Sequence, residues 1–310
     1  MYVCTVVTLL AMASIYTSND SIPNNTQPVG SNPVIIANVD YLGEQRTNSC
    51  THRDLGFLGQ LTGRWYAVYG DTLWCKASVT EPSQDPEGFH GMVRDSIAEC
   101  SDSALRVKFT QLNEDSPVAH PKQFIPCNEA WGKTLTTGFG GTSLCPVDDD
   151  NSLIFYLVNQ NPDGLVGAGA AQVQLSNDSP TVVKRYGENG WWWNATHEAR
   201  YGLHLWLGRY EFLHEKPGIR DSMNTGGDVT VLETKHTLNH VQQGDCFAIR
   251  TAPAPEGPWS DDVKVYTPTP IDSGFTYAPG VHPYLDSAGK TLTISYTNKN
   301  HIQVIKVTLE

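Results

Sequence analysis

Gly63-Arg-Trp-Tyr-Ala-Val-Tyr-Gly-Asp-Thr72 decides the class of fold. Its aromatic and β-branched side chains suit a pleated, half-buried strand. Gly70 ends the apolar run and an acid, Asp71, follows at once. The same grammar repeats outward from this stretch. Residues 104–112 alternate like a half-buried strand. Leu153-Ile-Phe-Tyr-Leu-Val158 is a continuous apolar run, stopped by the turn-forming Asn159-Gln-Asn-Pro-Asp-Gly164. Residues 167–175 alternate again, and further strands are expected over 201–213, 228–233, 246–251, 263–266, 291–296 and 302–309. Helical periodicity is scarce, with one short helix expected near 88–98.

Composition agrees with an all-β fold. Charged residues are 17% of the chain, beside 27 Gly, 19 Pro and 10% aromatics. Few charges and many turn-formers suit short strands joined by tight turns. At roughly 45–55 residues per four-stranded blade, the part after residue 48 holds five blades, so a five-bladed β-propeller over 48–310 is expected. A β-sandwich or jelly-roll pair is the alternative. Residues 14–47, rich in Ser, Asn, Pro and Thr, read as a flexible linker. Residues 1–13 read as a signal peptide, with an apolar run ending in Ala11-Met12-Ala13. Loss of Cys4 with that leader leaves six of the seven cysteines, an even set that suits disulfides in a secreted, extracellular protein. The sequons at Asn19, Asn24 and Asn194 fit a glycoprotein.

A net charge of −12 argues against nucleic acid or an anionic membrane as partner, because phosphate binding needs a basic surface. No stretch approaches the ~20 apolar residues of a membrane span. There is no G-x-S-x-G elbow, phosphate loop or dinucleotide fingerprint. No C-x-x-C occurs, and His197-Glu198 is not a zinc motif because Tyr201 stands where the second His belongs. Neither cofactor nor metal is expected, and a monomer is.

Three segments can carry chemistry. Asp71 closes a strand beside a glycine, where it either projects into a central cavity or caps an Asx turn. Gly88-Phe-His-Gly-Met-Val-Arg-Asp-Ser96 brings His90, Arg94 and Asp95 into one short stretch, a hairpin's length after Asp71. Two carboxylates facing each other across a cleft are what glycosidic bond hydrolysis needs, one protonating the leaving oxygen while the other activates water or attacks the anomeric carbon. The plain alternative is a surface pair between Arg94 and Asp95. Trp191-Trp-Trp193 cannot all enter one core, since strand neighbours face opposite ways, so Trp192 is a candidate sugar platform and Glu198 a candidate third acid. His282, in Tyr277-Ala-Pro-Gly-Val-His-Pro-Tyr284, either points into the cavity or is structural.

Taken together, Gly63–Thr72, Arg250-Thr-Ala with Gly257-Pro-Trp-Ser260, and Tyr277–Tyr284 with Leu292-Thr-Ile-Ser-Tyr-Thr-Asn298 resemble secreted propellers grouped as a domain of unknown function that includes the bacterial endo-D-arabinanases. More distantly the chain resembles arabinanase and xylosidase propellers. The resemblance spans roughly residues 50–310. It implies a five-bladed propeller with its site in the axial funnel, a glycan substrate, and hydrolysis of furanosidic bonds by acids from the first blades. Asp71 matches the family's Gly-Asp-Thr carboxylate and Asp95 the next acidic position. His90, Arg94, Trp192 and His282 are then expected to position the sugar. A non-catalytic carbohydrate-binding or surface-recognition propeller is the alternative function.

Overall fold

A computed structural model describes residues 34–86, 89–126, 137–141, 143–160, 164–186, 193–194, 229–236, 244–252, 263–272, 274 and 276–310. Among these the fold is all-β, and helix is limited to two 3-10 turns at Pro82–Gln84 and Pro283–Leu285. The first strands are β1 (Ile36–Glu44), β2 (Thr51–Leu61), β3 (Arg64–Trp74), β4 (Met92–Val93), β5 (Ser96–Cys100) and β6 (Val107–Phe109). Two short ones follow, β7 (Leu112–Asn113) and β8 (His120–Pro121). The middle of the chain gives β9 (Thr137–Gly141), β10 (Cys145–Pro146), β11 (Ser152–Gln160), β12 (Gly164–Ser176), β13 (Ser179–Tyr186) and β14 (Trp193–Asn194). The C-terminal part gives β15 (Val229–His236), β16 (Gly244–Ala252), β17 (Val263–Tyr266), β18 (Thr276–Val281), β19 (Thr291–Asn298) and β20 (His301–Leu309).

The larger sheets run β2-β3-β5-β6, β10-β11-β12-β13, β15-β16-β17 and β1-β20-β19-β18. Consecutive antiparallel strands need tight turns, and three hairpins use two-residue loops. Thr62-Gly63, Asn177-Asp178 and Lys299-Asn300 each hold φ positive at both positions. That is the type I′ turn, whose twist matches the flanking strands.

Apolar side chains gather between sheets rather than in one central core. Leu61, Tyr66, Val68 and Ile97 of the β2 sheet pack on Ile154, Tyr156, Ala171 and Val173 of the β11 sheet. Tyr69, Ala98 and Phe109 meet Ile302 of the terminal sheet. Phe247, Ile249 and Val265 meet Leu292, Ile294, Tyr296 and Ile305. The sheets therefore stack face to face in a row, from the β15 sheet through the terminal sheet and the β2 sheet to the β11 sheet.

Two expectations change here. Within the linker expected over 14–47, the described part holds a strand over Ile36–Glu44, which pairs along β20 from Ile36↔Leu309 to Glu44↔Gln303. Its composition hides it because it is an edge strand with much of its length exposed. Directly after it, Gln45 is buried and anchors the segment. Its side-chain amide accepts from Tyr69 Oη and from the buried Arg53 guanidinium, which also donates to Thr51. The helix expected near 88–98 is β4 and the start of β5 instead. Gly91 at φ +136 is outside any helix, and the β-branched Val93 and Ile97 pair with Thr72 and Val68 on β3. Residues 1–33, Trp192, Glu198 and the strand expected over 201–213 lie outside the described residues.

A disulfide joins Cys50 to Cys75 across the open end of the β2–β3 hairpin. Closing that loop is worth about 3 kcal/mol. Cys145 is also disulfide-bonded, whereas Cys100 and Cys246 are free thiols.

Candidate functional site

Gly70 sits on β3 between two carboxylates. Tyr69 pairs with Leu55 on β2 and with Ser96 on β5, so the next position along falls beside Asp54 on one side and Asp95 on the other. A Cβ at Gly70 would lie 2.1 Å from Asp54 Oδ1 and 2.9 Å from Leu55 Cδ1. Only glycine leaves room there for the acid.

Asp54 is aimed by irregular backbone. Pairing between β2 and β3 slips on both sides of Leu55, which holds φ at +66, and Leu55 N donates to Thr297 Oγ1 at 2.9 Å. Pairing of β18 with β19 slips between Tyr277 and Gly280, and Ala278 there holds φ at +51. A non-glycine residue in the left-handed region is strained, and bulges re-aim side chains. The two bulges face each other, and Tyr277 Oη donates to Asp54 Oδ2 at 2.9 Å across them.

Asp71 is the open acid of the group, with its side chain 51% exposed and Arg94 Nη1 3.7 Å from its Oδ1. Partial burial pushes its carboxyl above the ordinary range, while Arg94 pulls it down. Asp95 was expected to share an open cleft with Asp71, but its side chain is sealed from solvent. Its Oδ1 accepts from Gln123 Nε2 at 2.6 Å and from the amides of Phe124 and Ile125 at 3.0 Å. Its Oδ2 is buried with no hydrogen-bond partner. Burial raises this carboxyl to about 8, against the two amides and Arg185, and the charge of Asp71 adds to the rise. Gln123 ties the pair together, because its Oε1 accepts from Arg94 N at 2.8 Å.

The other expected residues are placed elsewhere. His90 Nε2 lies 3.1 Å from Oδ2 of the buried Asp85. His282 is 2% exposed, with Nδ1 2.9 Å from Tyr284 Oη. Burial alone lowers its pKa to about 3, with no carboxylate contributing. His282 stands five residues past Tyr277, beyond the end of β18. Tyr284 stacks in turn on Trp65, at the opposite end of β3 from Asp71. Side-chain atoms of His52, Cys75 and Asp85 lie within 4.8 Å of one another. Cys75 is committed to its disulfide, which leaves two ligand atoms, fewer than a structural zinc ion takes.

Asp54 is the site residue that the sequence reading missed. A signal for it exists: with Thr62-Gly63 at the turn, counting back along the hairpin sets Asp54 opposite Asp71. The charged run His52-Arg53-Asp54 concealed the strand.

No family model matches the sequence, and no curated protein matches it. Among solved structures the chain is similar to an endo-arabinase from Bacteroides thetaiotaomicron VPI-5482, at 16% identity over 82% of this chain and 73% of that one, with a TM-score of 0.27. A superposition that loose carries no argument about fold or activity.

Proposed function

We propose that this chain is a secreted, five-bladed propeller hydrolase acting on furanosidic, arabinan-like glycans. The observation that carries the reading is the meeting of three acids, Asp54, Asp71 and Asp95, beside one glycine in one sheet. Asp71, open to solvent and raised by partial burial, is suited to protonate the leaving oxygen. Asp54, held by Tyr277, is suited to activate water or attack the anomeric carbon. Asp95, closed to solvent, acts through Asp71: neutral below about pH 8, it places no second negative charge beside the acid. Arg94 orients Asp71.

Sheet order supports the proposed ring. β18 packs on β2 and β15 on β18, while the N-terminal β1 completes the C-terminal sheet. The Cys50–Cys75 disulfide supports an oxidising, extracellular location. One observation favours the alternative of a non-catalytic carbohydrate-binding propeller: Asp95 Oδ1 is fully occupied by structural hydrogen bonds.

Incubating the protein with linear arabinan, xylan and galactan while measuring released reducing ends tests the reading. Hydrolysis of arabinan ahead of the two pyranose polymers is expected. Binding to arabinan without product overturns the enzymatic reading and leaves the alternative.

A further inference from the structure

A cavity of 480 Å³ lies along the two strands that carry Asp54 and Asp71. It is lined by Tyr41 and Glu44 of β1, His52 of β2, Leu73 of β3, and Lys299 and His301 at the tip of the β19–β20 hairpin. His52 and Leu73 each stand two residues from an acid of the first site, Asp54 and Asp71 respectively, on the same strands. Two strand residues span about 7 Å, roughly one sugar unit.

The cavity walls are tied together by hydrogen bonds. His301 Nδ1 lies 2.6 Å from Glu44 Oε1, and its ring meets His52 edge-on at 4.9 Å. His52 Nε2 is 3.0 Å from the carbonyl of Asp85, and Arg53 N donates to Asn300 O at 2.7 Å. Lys299 Nζ donates to Asp272 Oδ2 at 2.8 Å. The walls are therefore polar, and their acids already have partners. A neutral ligand with many hydroxyls suits such walls, and a charged one does not. Tyr41, 53% exposed, offers a ring to stack on a sugar face, and Leu73 and two prolines give an apolar floor.

The hairpin tip adds a separate indication. Lys299 and Asn300 hold φ at +50 and +62, in a type I′ turn that Asn-Gly fills with least strain. Here a long side chain occupies the first position, and both turn residues line the cavity.

We propose that this cavity is a second carbohydrate subsite, which binds the sugars flanking the bond held at Asp54 and Asp71. It rests on the glycan reading above and adds to it a preference for longer chains. The test uses linear arabino-oligosaccharides of two to six units and the double variant Lys299→Asn, Asn300→Gly. That variant installs the favoured turn pair, which offsets loss of the exposed Lys299–Asp272 ion pair, while it shortens one wall side chain and removes the other. Tyr41→Ala is a second, independent variant. Binding is measured by NMR titration and cleavage by product analysis.

Both variants are expected to bind the hexamer about tenfold more weakly and the dimer unchanged. If wild type cleaves arabinan and both variants keep its chain-length preference, the subsite is overturned and the hydrolase reading stands. If hexamer binding weakens in the variants although wild type cleaves nothing, the subsite holds and the hydrolase reading falls. Absence of both binding and cleavage in wild type removes the two together.

Discussion

The corner around Gly70 and the corner around His282 are joined by a single strand, β18, and each contains a fully buried ionisable group. Asp95 and His282 share a further property, a buried side-chain atom without a hydrogen-bond partner. They differ in company. Asp95 lies within electrostatic reach of Asp71 and Arg185, whereas nothing but burial shifts His282. Burial by itself displaces a titration, and it takes the convergence of acids and an opening to solvent to make a site.

This contrast is most easily broken at Gly70. Gly70→Ala is expected to remove glycan hydrolysis by at least about 10³-fold, since the new methyl meets Asp54 Oδ1 and the acid must leave its place. Reducing-end release measures it, and a variant retaining full rate would detach Asp54 from the chemistry.

The two buried groups then sharpen the contrast through stability, with opposite signs. Asp95 titrates near 8 in the fold against 3.8 when free, so its contribution is complete below about pH 4 and is lost as pH rises through 8. His282 titrates near 3 against 6.5, so its contribution is present above 6.5 and is lost as pH falls toward 3. Asp95→Asn keeps an oxygen for the three donors and removes the charge. It is expected to raise stability at pH 8 by on the order of 5 kcal/mol, seen as a higher melting temperature, and to leave the melting temperature unchanged at pH 4. Thermal melts across this range check both halves, and a flat difference between the proteins would contradict the buried acid.

Smaller effects separate the corners by activity. Tyr277→Phe removes the hydrogen bond that holds Asp54 and is expected to lower kcat about tenfold with KM little changed. His282→Phe is expected to leave both constants within about twofold while changing stability, because the imidazole touches Tyr284 and no acid of the site. Steady-state kinetics on one oligosaccharide distinguishes them, and equal losses in the two variants would merge the corners.

The reach of the sequence follows the same division. Strands with strong alternation or unbroken apolar runs, β3, β11, β19 and β20, announce themselves. β1 and β2 do not, one because it is an exposed edge and the other because a charged triplet sits in it. Gly70-Asp71 was legible as an acid beside a glycine, but the strand expected to end there runs on to Trp74, and Arg94 lies against Asp71 rather than Asp95. What no spacing discloses is that Asp95 is roofed by the amides of Phe124 and Ile125, residues some thirty positions on. Bulges at Leu55 and Ala278 likewise have no composition of their own, because neither strained position is a glycine.

Asp71→Asn is the most direct probe of the carboxylate site. Reducing ends released from linear arabinan are compared between wild type and this variant, with matched melting temperatures as the control for folding. The expected result is a loss of about 10³-fold in the variant. Equal rates in the two proteins would contradict a hydrolytic role for the acids around Gly70.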